Sequence, residues 1–231
     1  MNKSSSKKLF IICGVFALLA IALTLVVKFI DVRPIGPNAS AIGLASLNEA
    51  VRNLFPYGSS GINDFWYTIT KYSGYALFLP VAFFVILGFV QLIKRKSFKK
   101  VDRELKLLAL FYVAVGAVYV FFEKLFIVNC RPVLINGELE ASYPSSHTLF
   151  AITLCGSAIL LVKYLLKLKH AKLVSFALAL LALVTVVGRL LSGVHWATDI
   201  LGGILIGATL VAALFVAIKK SISPTAKTET A

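Results

Sequence analysis

Residues Leu9–Ile30 have the sequence LFIICGVFALLAIALTLVVKFI, in which Lys28, near the end, is the one charged residue. About 20 apolar residues in helical form are enough to cross a hydrocarbon core roughly 30 Å thick. Similar apolar runs follow at about Tyr75–Ile93, Leu107–Val128, His147–Leu165, Leu173–Leu191 and Ile200–Ile218. Because lipid leaves bare backbone groups unsatisfied, and because these runs lack the alternation of a β-strand, all six are predicted to be transmembrane helices.

The composition of the chain agrees with a membrane protein. Of its 231 residues, 59% are hydrophobic and 15% are charged, and the mean hydropathy is +0.89. A soluble domain is about half apolar and about a quarter charged. We therefore predict an all-α, six-transmembrane-helix bundle that forms one domain over residues 1–231, with polar tails at about 1–8 and 219–231.

The net charge of +14 is concentrated between the apolar runs. A soluble protein this basic would suggest a nucleic-acid partner. In a membrane protein, basic residues instead gather in cytoplasmic segments. Four segments that share one side of a six-helix topology carry these residues: Lys3, Lys7, Lys8, Lys94, Arg95, Lys96, Lys99, Lys100, Arg103, Lys167, Lys169, Lys172, Lys219, Lys220 and Lys227. Both termini are therefore predicted to be cytoplasmic in a multi-pass plasma-membrane protein, and no nucleic acid is expected as a partner.

The first outer loop, at about Asp31–Lys71, is the longest and is predicted to carry an interfacial helix. Apolar residues with helical spacing occur there at Ile42, Leu44, Leu47, Val51, Leu54 and Phe55. The aromatic residues Trp66, Tyr67, Tyr72 and Tyr75 resemble an interfacial belt. Anchoring at the membrane surface is the plainer interpretation of both features, and a wall or lid that guides a lipid is the alternative.

The other two outer loops carry an unusual set of ionisable and polar residues. Helix counting alone places the whole set at the extracytoplasmic surface, where ionisable residues beside a membrane span are costly and indicate function. Its members are Lys124, Arg131, Ser145, Ser146, His147, Arg189, His195 and Asp199.

The three cations of this set are suited to a phosphate group. Arginine donates two parallel hydrogen bonds to phosphate, and positive charge stabilises the transition state of phosphoryl transfer. Ser145 and Ser146 open the fourth helix, whose free N–H groups favour an anion. Each residue also has a structural interpretation, since Lys124 and Arg131 could extend to the interface and the serines could simply cap the helix.

The two histidines of the set are suited to acid–base and nucleophilic chemistry. His195 and Asp199 are four residues apart, so they can meet on one helical turn. A carboxylate that holds one ring nitrogen leaves the other free to attack phosphorus, and His147 is then available as a general acid. A purely structural His195–Asp199 pair is the alternative, but it does not explain why one surface collects the whole set.

At this point the chain resembles the type 2 phosphatidic acid phosphatase (PAP2) superfamily, whose motifs are K-x6-RP, PSGH and SR-x5-H-x3-D. The matching segments are Lys124-x6-Arg131-Pro132, Pro144-Ser145-Ser146-His147 and Gly188-Arg189-x5-His195-x3-Asp199.

The resemblance implies a phosphohistidine on His195, oriented by Asp199, and protonation of the leaving group by His147. It implies that Lys124, Arg131, Ser145, Ser146 and Arg189 hold the phosphate, with no metal and no cofactor. Two positions depart from the motifs: Ser146 replaces a glycine and Gly188 replaces a serine. We hypothesise that the Ser146 hydroxyl partly compensates for the hydroxyl missing at Gly188.

The expected activity is hydrolysis of a lipid phosphate or diphosphate, with phosphatidic acid, phosphatidylglycerophosphate and a polyprenyl diphosphate as the candidate substrates. A phosphotransferase that moves the phosphoryl group to an acceptor hydroxyl is one alternative. A non-catalytic lipid binder or a transporter is another, although transporter sites usually lie near the bilayer midplane. The partners expected under the first interpretation are the substrate lipid and the bilayer.

Overall fold

Long apolar helices dominate the computed structural model, which describes residues 3–55 and 57–222. The helical stretches that are long and apolar enough to cross a membrane are Lys7–Phe29, Asp64–Arg95, Arg103–Leu125, Ser146–Leu166, Ala171–Leu191 and Ala197–Lys220. They confirm the six predicted membrane helices. Lys227 and parts of both predicted polar tails lie outside the described residues.

The α-helices of the described residues are α1 (Lys3–Phe29), α2 (Ala45–Arg52), α3 (Asp64–Ala76), α4 (Leu79–Arg95), α5 (Arg103–Val120), α6 (Ser146–Phe150), α7 (Gly156–Leu161), α8 (Ala171–Leu191) and α9 (Ala197–Ile222). The π-helical turns Phe121–Leu125, Ala151–Cys155 and Val162–Leu166 extend α5, join α6 to α7 and extend α7. Short 3₁₀ turns occur at Pro37–Ala39 and Phe98–Lys100. The described residues contain isolated β-bridges but no strand.

The second membrane helix begins earlier than the sequence predicts. It was expected at about Tyr75, but α3 begins at Asp64, where the Asn63 side chain accepts a hydrogen bond from the Trp66 N–H. The prediction placed the start too late because α3 carries polar residues, although two of them, Thr70 and Ser73, are buried in the protein. The first outer loop is correspondingly shorter than predicted.

Helix α2 confirms a helix in the first outer loop, but its buried face is not the apolar one. Asn48 is 1% exposed, whereas Leu47 is 43% exposed and Leu54, just beyond the helix, is 74% exposed. The Asn48 side chain donates hydrogen bonds to Gly43 O at 2.9 Å and Thr198 Oγ1 at 3.0 Å. Helix α2 therefore packs its polar face on the start of α9.

Helices α6 and α9 begin side by side at one end of the bundle. The Ser145 N–H donates to the carbonyl of Asp199 at 2.9 Å. A β-carbon on Gly203 would lie 2.8 Å from Thr148 Cβ, so glycine permits the close contact of the two helices. The largest apolar core, which includes Phe84, Leu161 and Ile218, lies elsewhere in the bundle, between α4, α5, α7 and α9.

Candidate active site

The imidazole of His195 lies in the turn between α8 and α9 and is almost fully buried, with 4% of the residue exposed. Its Nε2 is 3.2 Å from Nη1 of Arg131. Because a guanidinium can only donate, this contact requires a lone pair on Nε2 and places the ring proton on Nδ1. Nδ1 faces the Asp199 carboxylate, whose Oδ2 is 3.5 Å away. That distance is within the range of an ion pair but is longer than a hydrogen bond.

The pKa of His195 is held well below its ordinary value, first by burial and then by the positive charges of Arg131 and Arg189. Burial penalises the charged form, and nearby cations do the same. The imidazole is therefore neutral at neutral pH, which is the state in which a ring nitrogen can act as a nucleophile.

The Asp199 carboxylate is completely buried in the first turn of α9. Its Oδ2 accepts a hydrogen bond from the Trp196 N–H at 2.9 Å. This bond satisfies one of the free N–H groups at the start of the helix and fixes the carboxylate beside His195.

The two arginines of the set approach from different elements. Arg131 forms an ion pair with Glu140, with Nε and Oε2 separated by 2.8 Å. Arg189, at the end of α8, is 3% exposed and donates to Thr70 Oγ1 at 3.3 Å. Its guanidinium also lies 5.8 Å from the centre of the Tyr67 ring. Glu140 and the hydroxyl of Thr70 thus orient the two cations that flank His195.

A cleft of about 370 Å³ opens beside these residues, between α3, α5, α6 and α8. The polar side chains that line it are Tyr67, Lys71, Tyr75, Tyr119, Ser146, His147 and Arg189. A second cavity, of about 260 Å³ between α4 and α5, is lined almost entirely by apolar side chains. The first cleft therefore has polar side chains on part of its wall and apolar side chains, Leu77, Phe78 and Phe150, on the rest.

Several buried polar atoms near the cleft have no hydrogen-bond partner among the described residues. They include His147 Nδ1, Arg189 Nε, His195 Nδ1 and Asp199 Oδ1. Buried polar groups are normally paired, so each exception needs an explanation. A concentration of such groups in one place is typical of a site that binds a polar ligand.

Three of the eight residues singled out from the sequence line the cleft: Ser146, His147 and Arg189. Lys124 is exposed on the π-helical turn after α5, and it does not line the cleft. The Ser145 hydroxyl is completely buried and caps α6, accepting from Thr148 N at 3.4 Å and from Thr148 Oγ1 at 3.2 Å. Ser146 does line the cleft, beside His147.

A buried amide pair that the sequence does not predict holds the start of α9. Asn48 Oδ1 accepts from the Thr198 N–H at 3.2 Å, and Asn129 Oδ1 accepts from the Gly43 N–H at 2.9 Å. The Asn129 amide also donates to Thr198 Oγ1 at 3.4 Å. Neither asparagine belongs to a motif, and polar residues in loops give no signal of such a role.

Comparison with known proteins now bears on the identity of this fold and site. A family model described as the PAP2 superfamily matches residues 104–223, more than half of the chain. The chain belongs to the PAP2 superfamily. The match covers every element that carries the two histidines, and it supports a phosphatase.

A solved structure is similar to this PAP2 protein over most of its length. It is the crystal structure of a transmembrane PAP2-type phosphatidylglycerolphosphate phosphatase from Bacillus subtilis. The likeness covers 92% of this chain and 98% of that one, with a TM-score of 0.56 and 23% sequence identity. At 23% identity, this likeness shows that the two proteins share a fold. No curated protein matches the chain.

Within residues 3–55 and 57–222, no group of three or more His, Cys, Asp or Glu side chains is placed to hold a metal ion.

Proposed function

We propose that this PAP2 protein hydrolyses a membrane lipid phosphate or diphosphate through a phosphohistidine on His195. The proposal places the reaction at the extracytoplasmic face of the plasma membrane and treats residues 1–231 as one phosphatase domain. The observation that carries it is the pair of contacts made by the His195 ring: Nε2 lies 3.2 Å from Arg131 Nη1, and Nδ1 faces Asp199 Oδ2 at 3.5 Å.

In the first step, the Nη1–H of Arg131 turns from His195 Nε2 to a phosphate oxygen, and the freed lone pair of Nε2 attacks the phosphorus atom of the substrate. An N–P bond forms, and the bond from phosphorus to the lipid oxygen breaks. His147, which lines the cleft, gives a proton to that oxygen as it leaves. The positive charge that develops on the imidazole is stabilised by the carboxylate of Asp199.

Arg131 and Arg189 bind the equatorial oxygens of the transferring phosphoryl group. Both cations are positioned before substrate arrives, since Arg131 is paired with Glu140 and Arg189 with Thr70. Preorganised donors of this kind stabilise a transition state without the cost of reorganisation. We include Ser145, Ser146 and Lys124 in the proposed phosphate site, with the Ser146 hydroxyl in the cleft.

In the second step, water attacks phosphorus on the side opposite the imidazole. The N–P bond breaks, His147 accepts the proton of the water, and inorganic phosphate leaves. The nucleophile, the acid and the cations are all protein side chains, so the proposed reaction uses no metal.

The test is phosphate release by purified protein in detergent with EDTA. The substrates are phosphatidic acid, phosphatidylglycerophosphate and a polyprenyl diphosphate. We expect release by the wild type and none by the His195→Ala variant, because the variant has no nucleophile. Acid-labile phosphate trapped on the wild type, and absent from His195→Ala, would identify the intermediate.

His170→Ala is a matched control, since His170 is an exposed histidine at the start of α8. It should retain wild-type turnover. Near-normal activity in His195→Ala would remove His195 as the nucleophile. Activity that disappears with EDTA and returns with a divalent cation would contradict the metal-free reaction.

A further inference from the structure

One face of α3 forms a wall of the cleft. The Arg189 guanidinium lies over the ring of Tyr67, and a β-carbon on Gly74 would be 3.0 Å from the imidazole of His147. Lys71 lies between these two positions in the sequence, four residues after Tyr67 and three before Gly74. Residues three and four apart share a helix face, so the side chain at position 71 faces the space between Arg189 and His147.

Lys71 is an available cation in this space. It lines the cleft and is exposed, and among the described residues it has neither a hydrogen-bond partner nor an ion pair. No acidic side chain lines the cleft. Lys71 belongs to none of the three motifs, whereas the motif lysine, Lys124, does not line the cleft.

The position of Lys71 relative to the two histidines decides what it can bind. His195 is almost fully buried and does not line the cleft, whereas His147 lines it. In the proposed reaction His147 protonates the leaving oxygen, so the leaving group lies on the cleft side, near His147. Gly74 is the residue of α3 that adjoins the His147 imidazole. Lys71 is about one turn of α3, or roughly 4.5 Å along the axis, from Gly74.

We infer that Lys71 binds a second phosphate group on the leaving-group side of the substrate and so determines substrate specificity. This inference rests on the proposed function and narrows its substrate class to lipids with two phosphates. The shared chemistry is a second phosphate, whether it is joined directly to the first, as in a lipid diphosphate, or separated from it by glycerol, as in phosphatidylglycerophosphate. Phosphatidic acid lacks this group.

The first experiment measures kcat/KM for a polyprenyl diphosphate, phosphatidylglycerophosphate and phosphatidic acid. In Lys71→Gln, we expect the preference for a two-phosphate lipid over phosphatidic acid to fall about tenfold, the effect of one charge-assisted hydrogen bond. Lys71→Arg should keep most of the preference. Of the two lipids with two phosphates, the one whose kcat/KM falls more in Lys71→Gln shows which spacing of the phosphate groups the site binds.

Lys94→Gln is the matched control, because Lys94 is an exposed lysine at the far end of the same membrane span. It should leave the preference at the wild-type value. An equal loss on all three lipids in Lys71→Gln, or no loss on any, would overturn the inference.

A binding experiment separates this inference from the proposed function. Calorimetric titration with inorganic pyrophosphate and with orthophosphate needs no turnover. We expect the Kd for pyrophosphate to rise about tenfold in Lys71→Gln, and the Kd for orthophosphate to rise less. If the wild type hydrolysed no lipid but Lys71→Gln still weakened pyrophosphate binding more than orthophosphate binding, the proposed function would be wrong. The phosphate-binding role of Lys71 would stand. Equal changes for the two anions, or no binding of pyrophosphate by the wild type, would overturn the role of Lys71.

Discussion

Thr70 of α3 occupies the space into which a side chain at position 188 would project. A β-carbon built on Gly188 would lie 2.5 Å from Thr70 Cγ2 and 3.2 Å from Cε3 of Trp66. The hydroxyl of the same threonine accepts a hydrogen bond from Arg189. The departure of Gly188 from the family motif therefore has a structural counterpart, because a neighbouring helix fills the position and places a hydroxyl beside the arginine.

Restoring the motif serine with Gly188→Ser is expected to destabilise the protein. The added atoms meet Thr70 and Trp66, and overpacking of this kind costs about 1–3 kcal/mol. Activity should fall as well, because Thr70 must move away from Arg189. Thermal unfolding in detergent and phosphate release would measure the two effects.

A second substitution tests the cause of that loss. Thr70→Ala removes Cγ2, so the double variant with Gly188→Ser should recover stability relative to Gly188→Ser alone. Gly116→Ser in α5 is a control, since a β-carbon there meets nothing within 4 Å. If the double variant were no more stable than Gly188→Ser, the contact with Thr70 would not be the source of the strain.

Asn48→Ala is expected to lower the free energy of unfolding by about 2 kcal/mol, because it leaves the buried Thr198 N–H without a partner. The start of α9 carries Asp199, so turnover should fall as well. Asn53→Ala changes an exposed asparagine just after α2 and should leave the melting temperature at the wild-type value. Equal melting temperatures for the two variants would show that the amide does not hold α9.

The pKa of His195 predicts how stability depends on pH. The folded protein keeps this buried imidazole neutral, whereas the unfolded chain takes up a proton below about pH 6.5. Above that pH, the contribution of His195 to the free energy of unfolding does not change with pH. Below it, stability falls by up to about 1.4 kcal/mol per pH unit for this one proton.

Thermal unfolding at about pH 7.5 and about pH 5 would measure this dependence. We expect the melting temperature to fall less on acidification in His195→Asn than in the wild type. His170→Asn, which changes an exposed histidine, should behave as the wild type does. The same acid sensitivity in His195→Asn and the wild type would assign the dependence to other groups.

The paired serines at the start of α6 predict two different defects. Ser146→Gly should lower kcat/KM several-fold, because it removes a hydroxyl that lines the cleft. Ser145→Ala should lower kcat/KM and, in addition, lower stability by about 1 kcal/mol, because the helix cap is lost. If Ser146→Gly left activity unchanged or raised it, the hydroxyl would not compensate for Gly188.

The sequence was sufficient to place the six membrane helices and to predict which charged residues lie close to one another. Apolar run length located the helices, and topology brought Arg131, Arg189 and the two histidines to one end of the bundle. The start of α3 was predicted too late because polarity was taken as exposure, whereas Thr70 is polar and buried. A hydropathy scan cannot distinguish a polar residue that faces water from one that faces an arginine.

The supporting residues of the site could not be found from the sequence. Asn48 and Thr198 are 150 residues apart, and no local spacing relates them. The position of Lys71 in the cleft depends on how α3 packs on α6 and α8. Long-range contacts of this kind depend on helix packing, which a single sequence does not specify.

The backbone contact between α6 and α9 predicts that the spacing of the two site histidines depends little on the host membrane. Ser145 N–H is bonded to Asp199 O, so His147 and His195 are held on one rigid unit. A thicker or thinner bilayer tilts outer helices to match its hydrophobic depth. Such tilting would alter the width of the cleft beside α3 and leave the spacing of the two imidazoles unchanged. In vesicles of different acyl-chain length, KM should therefore vary while the rate of the phosphorylation step stays constant.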